Sequence, residues 1–175
     1  ETILEALQLD RYHLHWSYAP ENPAIAVSNS GLVAIVSHTY DFGTPPMMSR
    51  VGAYNQATNG GFTDMHLILL NSSFAQIWGT WLGGPGSSED FHVAFDENDN
   101  IFFVGDVSWG GSSNATNERL VNLPGSYYQA TNASEDIMIG KFNASGALVW
   151  NTLYGGNAYD GIRSRMGNFT KVAVQ

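Results

Sequence analysis

Two groups of side chains in this sequence have the chemistry to hold a cation. His13 and His15 are two residues apart, a spacing that places both imidazoles on one face of a β-strand and suits a transition metal. Asp96, Asn98 and Asn100 carry oxygen-bearing side chains at alternate positions, as at the start of a calcium loop. No third ligand accompanies the histidines, and no bidentate glutamate follows the acidic turn. The sequence therefore predicts no cofactor and a simple hairpin turn, with calcium as the alternative.

Catalytic side chains are not grouped in any motif of this sequence. There is no nucleophile elbow, no serine in a motif with histidine and aspartate, and no repeated pair of inward carboxylates. The chain also contains no cysteine, which removes thiol nucleophiles and thiolate zinc sites. We expect a non-catalytic chain, and the alternative is an enzyme whose active site lies largely outside these residues.

Composition favours a globular all-β protein. Of the 175 residues, 43% are hydrophobic, which is enough for a core, and only 13% are charged. Glycine, asparagine, serine and threonine are frequent, as in short strands joined by tight turns. The net charge of -9 would repel nucleic acid and anionic lipid surfaces. Apolar runs are far shorter than the about 18 residues of a membrane-spanning helix, so we expect no membrane insertion.

An internal repeat sets the organisation of the chain, because two long segments match 72 positions apart. The matching residues are Trp78 and Trp150, Gly83 and Gly155, Gly84 and Gly156 and, at slightly different spacing, Asp90 and Asp160. A further half-copy, residues 24–36, parallels residues 93–105 at a spacing of 69. Each repeat therefore contains two successive hairpins.

The hairpins predict four-stranded antiparallel blades. In the clearest unit, alternating apolar residues bounded by turn residues place strands near 64–70, 76–82, 91–95 and 101–107. Residues 38–63 and 108–132 are predicted to be long surface loops, where binding would be located. Three segments follow from this division: a partial blade with a divergent start at 1–53, a repeat at 54–127 and an incomplete repeat at 128–175.

The repeated residues have simple structural roles. Trp78 and Trp150 are expected in the core between blades, with sugar stacking as the alternative. The glycine pairs at 83–84 and 155–156 would permit positive φ and close backbone approach where the chain leaves a strand. Asp90 and Asp160 would accept hydrogen bonds from turn amides.

The second copy resembles the bacterial β-propeller repeat often called SBBP, which is typical of secreted and surface proteins, many from Bacteroidetes. The resemblance is carried by Tyr-Gln-Ala-Thr-Asn at 128–132, Asp136, Lys-Phe-Asn-Ala-Ser-Gly at 141–146, Trp150 and the following glycine pair. It covers about two-thirds of the chain. Both ends fit poorly, and residues 162–165 are partly basic where the pattern expects an apolar strand.

The resemblance implies a β-propeller and a setting for it. About two and a half blades are present, whereas a propeller closes with about four to eight, so we expect a fragment of a larger protein. The resemblance also implies export to a bacterial surface, through the type IX route for example. Contacts would be made with other blades, a protein complex or a polysaccharide. Trp109 and Tyr127 are the candidate contact residues. The alternative is part of a propeller hydrolase or lyase.

Overall fold

The computed structural model describes residues 23–40, 48–58, 60–108, 120–130, 135–158 and 160 of the chain. Within these ranges the secondary structure consists of strands, which confirms the all-β class. No helix that is long and apolar enough to cross a membrane occurs in the described part of the chain. The strands are β1 (Ala24–Val27), β2 (Val33–Tyr40), β3 (Thr63–Leu70), β4 (Gln76–Leu82), β5 (Ser87–Phe95), β6 (Ile101–Ser108), β7 (Glu135–Phe142) and β8 (Leu148–Tyr154).

The strands form two antiparallel meanders of four strands each. In the first meander, β1 to β4, each strand pairs with the next one along the chain. The second meander, β5 to β8, repeats this arrangement. A single parallel bridge between Thr63 and Ser87 joins the two into one eight-stranded sheet. The short segment 83–86 carries the chain from one meander to the next.

The strand pairing corrects the predicted unit of 64–107. The four strands occur at the predicted positions, except that β5 begins four residues early, at Ser87. However, β4 pairs with β3, whereas β5 pairs antiparallel with β6. The two meanders therefore meet at residues 83–86. In a sequence of repeated hairpins, nothing local shows where one four-stranded unit ends and the next begins. Only the pairing between distant strands shows it.

The first turn of each meander has the same geometry. Ser28 N and Asp96 N each donate to the carbonyl of the residue four positions later, at 2.9 and 3.0 Å. Gly31 and Asp99 occupy the same left-handed position, with φ of 88° and 60°. These turns match at a spacing of 68, so the sequence alignment at 69 was wrong by one residue. Because side chains alternate between faces along a strand, that slip exchanges the two faces of β1 and β2.

The main hydrophobic core lies between the two meanders. Strand β3 is buried along its whole length, and the core draws side chains from both meanders. The fully or almost fully buried members are Ala34, Val36, Met65, Leu67, Leu69, Trp78, Leu82, Phe91, Val93, Ile101, Phe103, Val107, Met138, Phe142 and Leu153. Packing of one meander against the other is therefore a main source of stability for both.

Aromatic rings connect the meanders at the centre of this core. Trp78, which is fully buried, meets Phe142 edge to face at a centroid distance of 5.3 Å. Phe142 in turn lies 5.3 Å from Phe103. The indole Nε1 of Trp78 donates to the carbonyl of Tyr54 at 3.0 Å, so burial leaves its polar atom satisfied. The predicted core role of Trp78 agrees with this environment.

A polar pair lies on the opposite face of the first meander. Val33, Ile68 and Leu70 form a second, smaller apolar cluster there. On the same face the rings of His66 and Trp81 are 5.0 Å apart, and both residues are buried. Among the described residues, His66 Nε2 and Trp81 Nε1 have no hydrogen-bond partner. Burial lowers the pKa of His66 from 6.5 to about 4, since the interior disfavours the imidazolium.

The buried imidazole predicts a loss of stability in mild acid. Between pH 6.5 and 4 the unfolded chain binds a proton at His66 that the folded chain does not bind. The contribution of neutral His66 to the free energy of unfolding is complete above pH 6.5 and decreases as the pH falls towards 4. At pH 5 the free energy of unfolding is lower by about 2 kcal/mol. His66→Met, which introduces the residue found at the matching position 138, should remove this loss. Urea unfolding at pH 7 and pH 5 checks the prediction, and equal pH dependence of both proteins would contradict it.

Candidate functional site

One face of the second meander turns away from the first meander, and we name it the outer face. Val93, Phe103, Met138 and Leu153 belong to the core between the meanders. Because side chains alternate along a strand, their neighbours point to the opposite side. The outer face consists of His92, Ala94, Phe102, Val104, Asp106, Ile137, Ile139, Lys141, Trp150, Thr152 and Tyr154.

The outer face repeats the surface that the first meander buries against the second. Trp150 occupies the position of Trp78, and Ile139 that of Leu67, as the register of β7 and β8 shows. Trp78 and Leu67 are fully buried. Trp150 and Ile139 are half-buried, and Tyr154 on the same face is 59% exposed. The predicted core role of Trp150 is therefore met only in part within this chain.

Three substitutions make the outer face bulkier and more polar than its counterpart. Phe102, Lys141 and Tyr154 stand where the first meander has alanine at 34 and leucines at 69 and 82. The ammonium of Lys141 lies 4.7 Å from the ring centroid of Phe102, a cation–π contact. It also lies 3.5 Å from Asp96 Oδ2. The outer face thus carries an aromatic and a charged component.

Two exposed tyrosines border the outer face. The rings of Tyr127 and Tyr154 are 5.9 Å apart, and each residue is 59% exposed. The hydroxyl of Tyr127 donates to Gln129 Oε1 at 2.7 Å, which orients its ring. In the first meander, Tyr54 is half-buried, and its ring lies 6.1 Å from that of Phe142 in the second meander. Tyr127 is thus available for contacts, while the other candidate, Trp109, lies outside the described residues.

A hydrogen-bond network occurs in both meanders. In the second, Gln129 N donates to Thr152 Oγ1 at 2.8 Å, and Gln129 Nε2 donates to Asp136 Oδ2 at 2.6 Å. The corresponding contacts of the first meander join Gln56 to Thr80 at 2.9 Å and to Asp64 at 3.2 Å. Each glutamine therefore connects the segment that precedes the last two strands of its meander to both of those strands. The sequence pattern at 128–136 contains Gln129 and Asp136, but nothing in it indicates that the two side chains are bonded.

The first glycine of each pair makes room for the aspartate of the network. A Cβ on Gly83 would overlap the carboxylate of Asp64, and a Cβ on Gly155 would overlap that of Asp136. Positive φ was the other expected reason for these glycines, but neither residue has it, nor does Gly84 or its repeat partner. The requirement is for space beside a buried carboxylate, which the sequence does not show.

The acidic residues that follow the glycine pairs differ in their surroundings. Asp160 Oδ2 accepts a hydrogen bond from Gly156 N at 2.5 Å, the turn role expected from the sequence. Asp90 has φ of 52°, and its amide donates to His38 Nδ1 at 3.4 Å. Burial raises the pKa of Asp136, and the nearby charge of Asp160 raises it further, whereas the hydrogen bond from Gln129 lowers it.

The acidic turn at 96–100 has the geometry of a hairpin turn. Asp96 Oδ1 accepts from the amides of Asn98 and Asn100, both at 2.9 Å, and Oδ2 accepts from Asn100 Nδ2 at 2.7 Å. Burial raises the pKa of Asp96, but the hydrogen bonds and the charge of Lys141 outweigh it, so that the pKa is lowered. Across the described ranges, no three His, Asp or Glu side chains are placed to hold a metal. His13 and His15 lie outside those ranges.

No protein-family model and no curated protein matches the chain. The resemblance to the bacterial β-propeller repeat therefore stays a prediction.

Proposed function

We propose that this chain is a non-catalytic binding or scaffold segment of a larger secreted or cell-surface β-propeller protein. The two meanders would be consecutive blades of that propeller. The segment would mediate contacts with other blades, with a protein complex or with a polysaccharide.

The observation that carries the proposal is the match between the outer face and the buried face of the first meander. Trp78 and Leu67 are fully buried because the second meander covers them. Their repeat partners, Trp150 and Ile139, present a tryptophan and a similar aliphatic side chain at the same register, and both are less buried. A surface that repeats a buried interface is suited to a further copy of the unit that covers it.

Two features favour a binding role for the exposed part of the chain. The Tyr127–Tyr154 pair offers two adjacent exposed rings, and aromatic rings are the side chains most used for contacts at interfaces. Long connections, 41–62 and 109–134, leave each meander between its second and third strands. Loops of this kind on a rigid sheet commonly carry binding residues.

The mass and location of the native polypeptide test the proposal. Intact cells of the source organism are treated briefly with protease, and the released and retained material is analysed by peptide and intact-mass spectrometry. We expect peptides of this chain in the released fraction, from a polypeptide several times larger than 19.0 kDa. A native, monomeric polypeptide of about that mass, or one found only inside the cell, would contradict the proposal.

A further inference from the structure

The turn between β7 and β8 packs against the first meander. Its Gly146 is buried, and the carbonyl oxygen of Gly146 accepts a hydrogen bond from Tyr54 N at 2.8 Å. A Cβ placed on Gly146 would lie 2.9 Å from Ala53 Cβ and 3.1 Å from a ring carbon of Trp78. Side chains do not approach each other so closely, and glycine is the residue that permits such contact. The turn therefore fits the first meander because this position has no side chain.

The matching turn of the first meander shows that a larger residue is compatible with the turn itself. Phe74 stands at the position of Gly146, and their φ angles are 60° and 85°. Phe74 N donates to Asn71 O at 2.9 Å, as Gly146 N donates to Asn143 O at 2.8 Å. A left-handed conformation is rare for a bulky residue, yet the turn forms, and Phe74 is 46% exposed. The need for glycine at 146 therefore comes chiefly from its contact with the first meander.

The second meander has a corresponding receiving surface, which we name the turn site. The turn site consists of Leu123, Ser126, Tyr127 and Trp150. Their counterparts in the first meander are, in the same order, Arg50, Ala53, Tyr54 and Trp78. The match follows from equal hydrogen bonds: an amide-to-carbonyl bond of 3.1 Å joins the first two members in each meander. In both meanders the tyrosine hydroxyl also donates to the glutamine two residues later.

The turn site is exposed, whereas its counterpart is covered. Tyr127 is 59% exposed and Leu123 is 40% exposed. Within the described part of the chain, no hydrogen bond is found for Tyr127 N or Trp150 Nε1. The corresponding two atoms of the first meander donate hydrogen bonds of 2.8 and 3.0 Å. The amide that receives a turn at the junction between the meanders is thus available at the turn site.

We propose that the turn site binds the turn between the third and fourth strands of a further repeat unit, one with glycine at the position of Gly146. Tyr127 N donates to the carbonyl oxygen of that glycine, whose Cα packs on the ring of Trp150. The proposal rests on the blade packing of the proposed function and specifies the partner. A second copy of this chain does not fit, because its first meander has Phe74 at this position and its own Gly146 already contacts Tyr54.

A chain extended by one repeat tests the proposal. Residues 85–156 are duplicated directly after Gly156, which adds a unit with the required glycine turn. Because Gly84 and Gly156 are repeat partners, the added copy continues the repeat in register. We expect Trp150→Ala, made in the original unit, to lower the urea midpoint of the extended chain about as much as Trp78→Ala does. In the unextended chain its effect should be several times smaller.

Substitutions at the glycine of the added turn test the turn site itself. In the added copy, Gly146→Asn introduces a Cβ but keeps the turn, because asparagine tolerates the left-handed conformation. We expect Gly146→Asn, and more so Gly146→Phe, to return the effect of Trp150→Ala towards its value in the unextended chain. Phe74→Asn in the first meander is the matched control. It should not lower the urea midpoint, because a larger side chain is already present in that turn.

The outcomes separate the turn site from the proposed function. An extended chain that does not fold, or in which Trp150→Ala keeps its small effect, contradicts the covering of the outer face by a further unit and hence both proposals. A large effect of Trp150→Ala that persists with Gly146→Asn and Gly146→Phe in the added copy overturns the turn site alone. The native mass judges the proposed function independently of either result.

Discussion

Replacing Trp78 by alanine should lower the free energy of unfolding by about 3–5 kcal/mol, the usual cost of removing a large aromatic side chain from a core. The indole is fully buried, packs edge to face on Phe142 of the other meander, and donates to the carbonyl of Tyr54. Its removal leaves a cavity between the meanders and an acceptor without its partner. Urea unfolding followed by circular dichroism measures the loss.

Trp150→Ala is the matched control, because the two tryptophans occupy the same position in consecutive repeats. Trp150 is only half-buried, so less apolar surface returns to water and no closed cavity forms. We expect a loss of about 1 kcal/mol. Equal losses for both variants would show that the outer face is covered as completely as the interface between the meanders.

Gly83→Ala should destabilise the chain by about 1–3 kcal/mol or more, the range for overpacking a filled interior. The new Cβ would overlap the carboxylate of Asp64, which is fully buried and accepts hydrogen bonds from Gln56 Nε2 and Gly60 N. Asp64 has to move, and that movement breaks the contacts which tie residue 56 to the sheet. The midpoint of thermal unfolding provides the measurement.

Gly60→Ala provides the comparison for this variant. Gly60 lies in the same region, but the nearest atoms to a Cβ placed there are 3.4 Å away, and its φ is not in the left-handed range. We expect a change within about 0.5 kcal/mol. A Gly83→Ala variant as stable as Gly60→Ala would mean that Asp64 has room to reorient.

Local features of the structure follow from the sequence. Strands β3, β4 and β6 match the predicted ranges to within one residue, because alternating apolar residues and turn residues are local signals. Strand β5 begins four residues before its predicted start. Asn71 and Asn143 each hold a turn by accepting two amides through their side chains, as repeated turn asparagines should. Trp78 could be placed in the core because a large aromatic residue within a predicted strand is usually buried.

Features that depend on distant residues could not be read in the same way. Whether β5 belongs with β4 or with β6 is decided by pairing over the whole sheet, and the hairpin pattern is the same for both. The space that Gly83 leaves for Asp64 depends on residues in different strands. The bonds of Gln56 join it to residues 8 and 24 positions later. The different burial of Trp78 and Trp150 depends on what packs against each meander, and the similar local sequences of β4 and β8 do not show this.

The two meanders differ in the length of the connection between their second and third strands, and that difference has a consequence for insertions. The connection from β2 to β3 spans 22 residues, 41–62, and that from β6 to β7 spans 26, 109–134. This accounts for the change in repeat spacing from 68 before the loop to 72 after it. Four extra residues in such a loop cost only about 0.2 kcal/mol in closure entropy. A short peptide inserted in this connection, away from Gln129 and its hydrogen bonds to β7 and β8, should therefore leave the strand register unchanged.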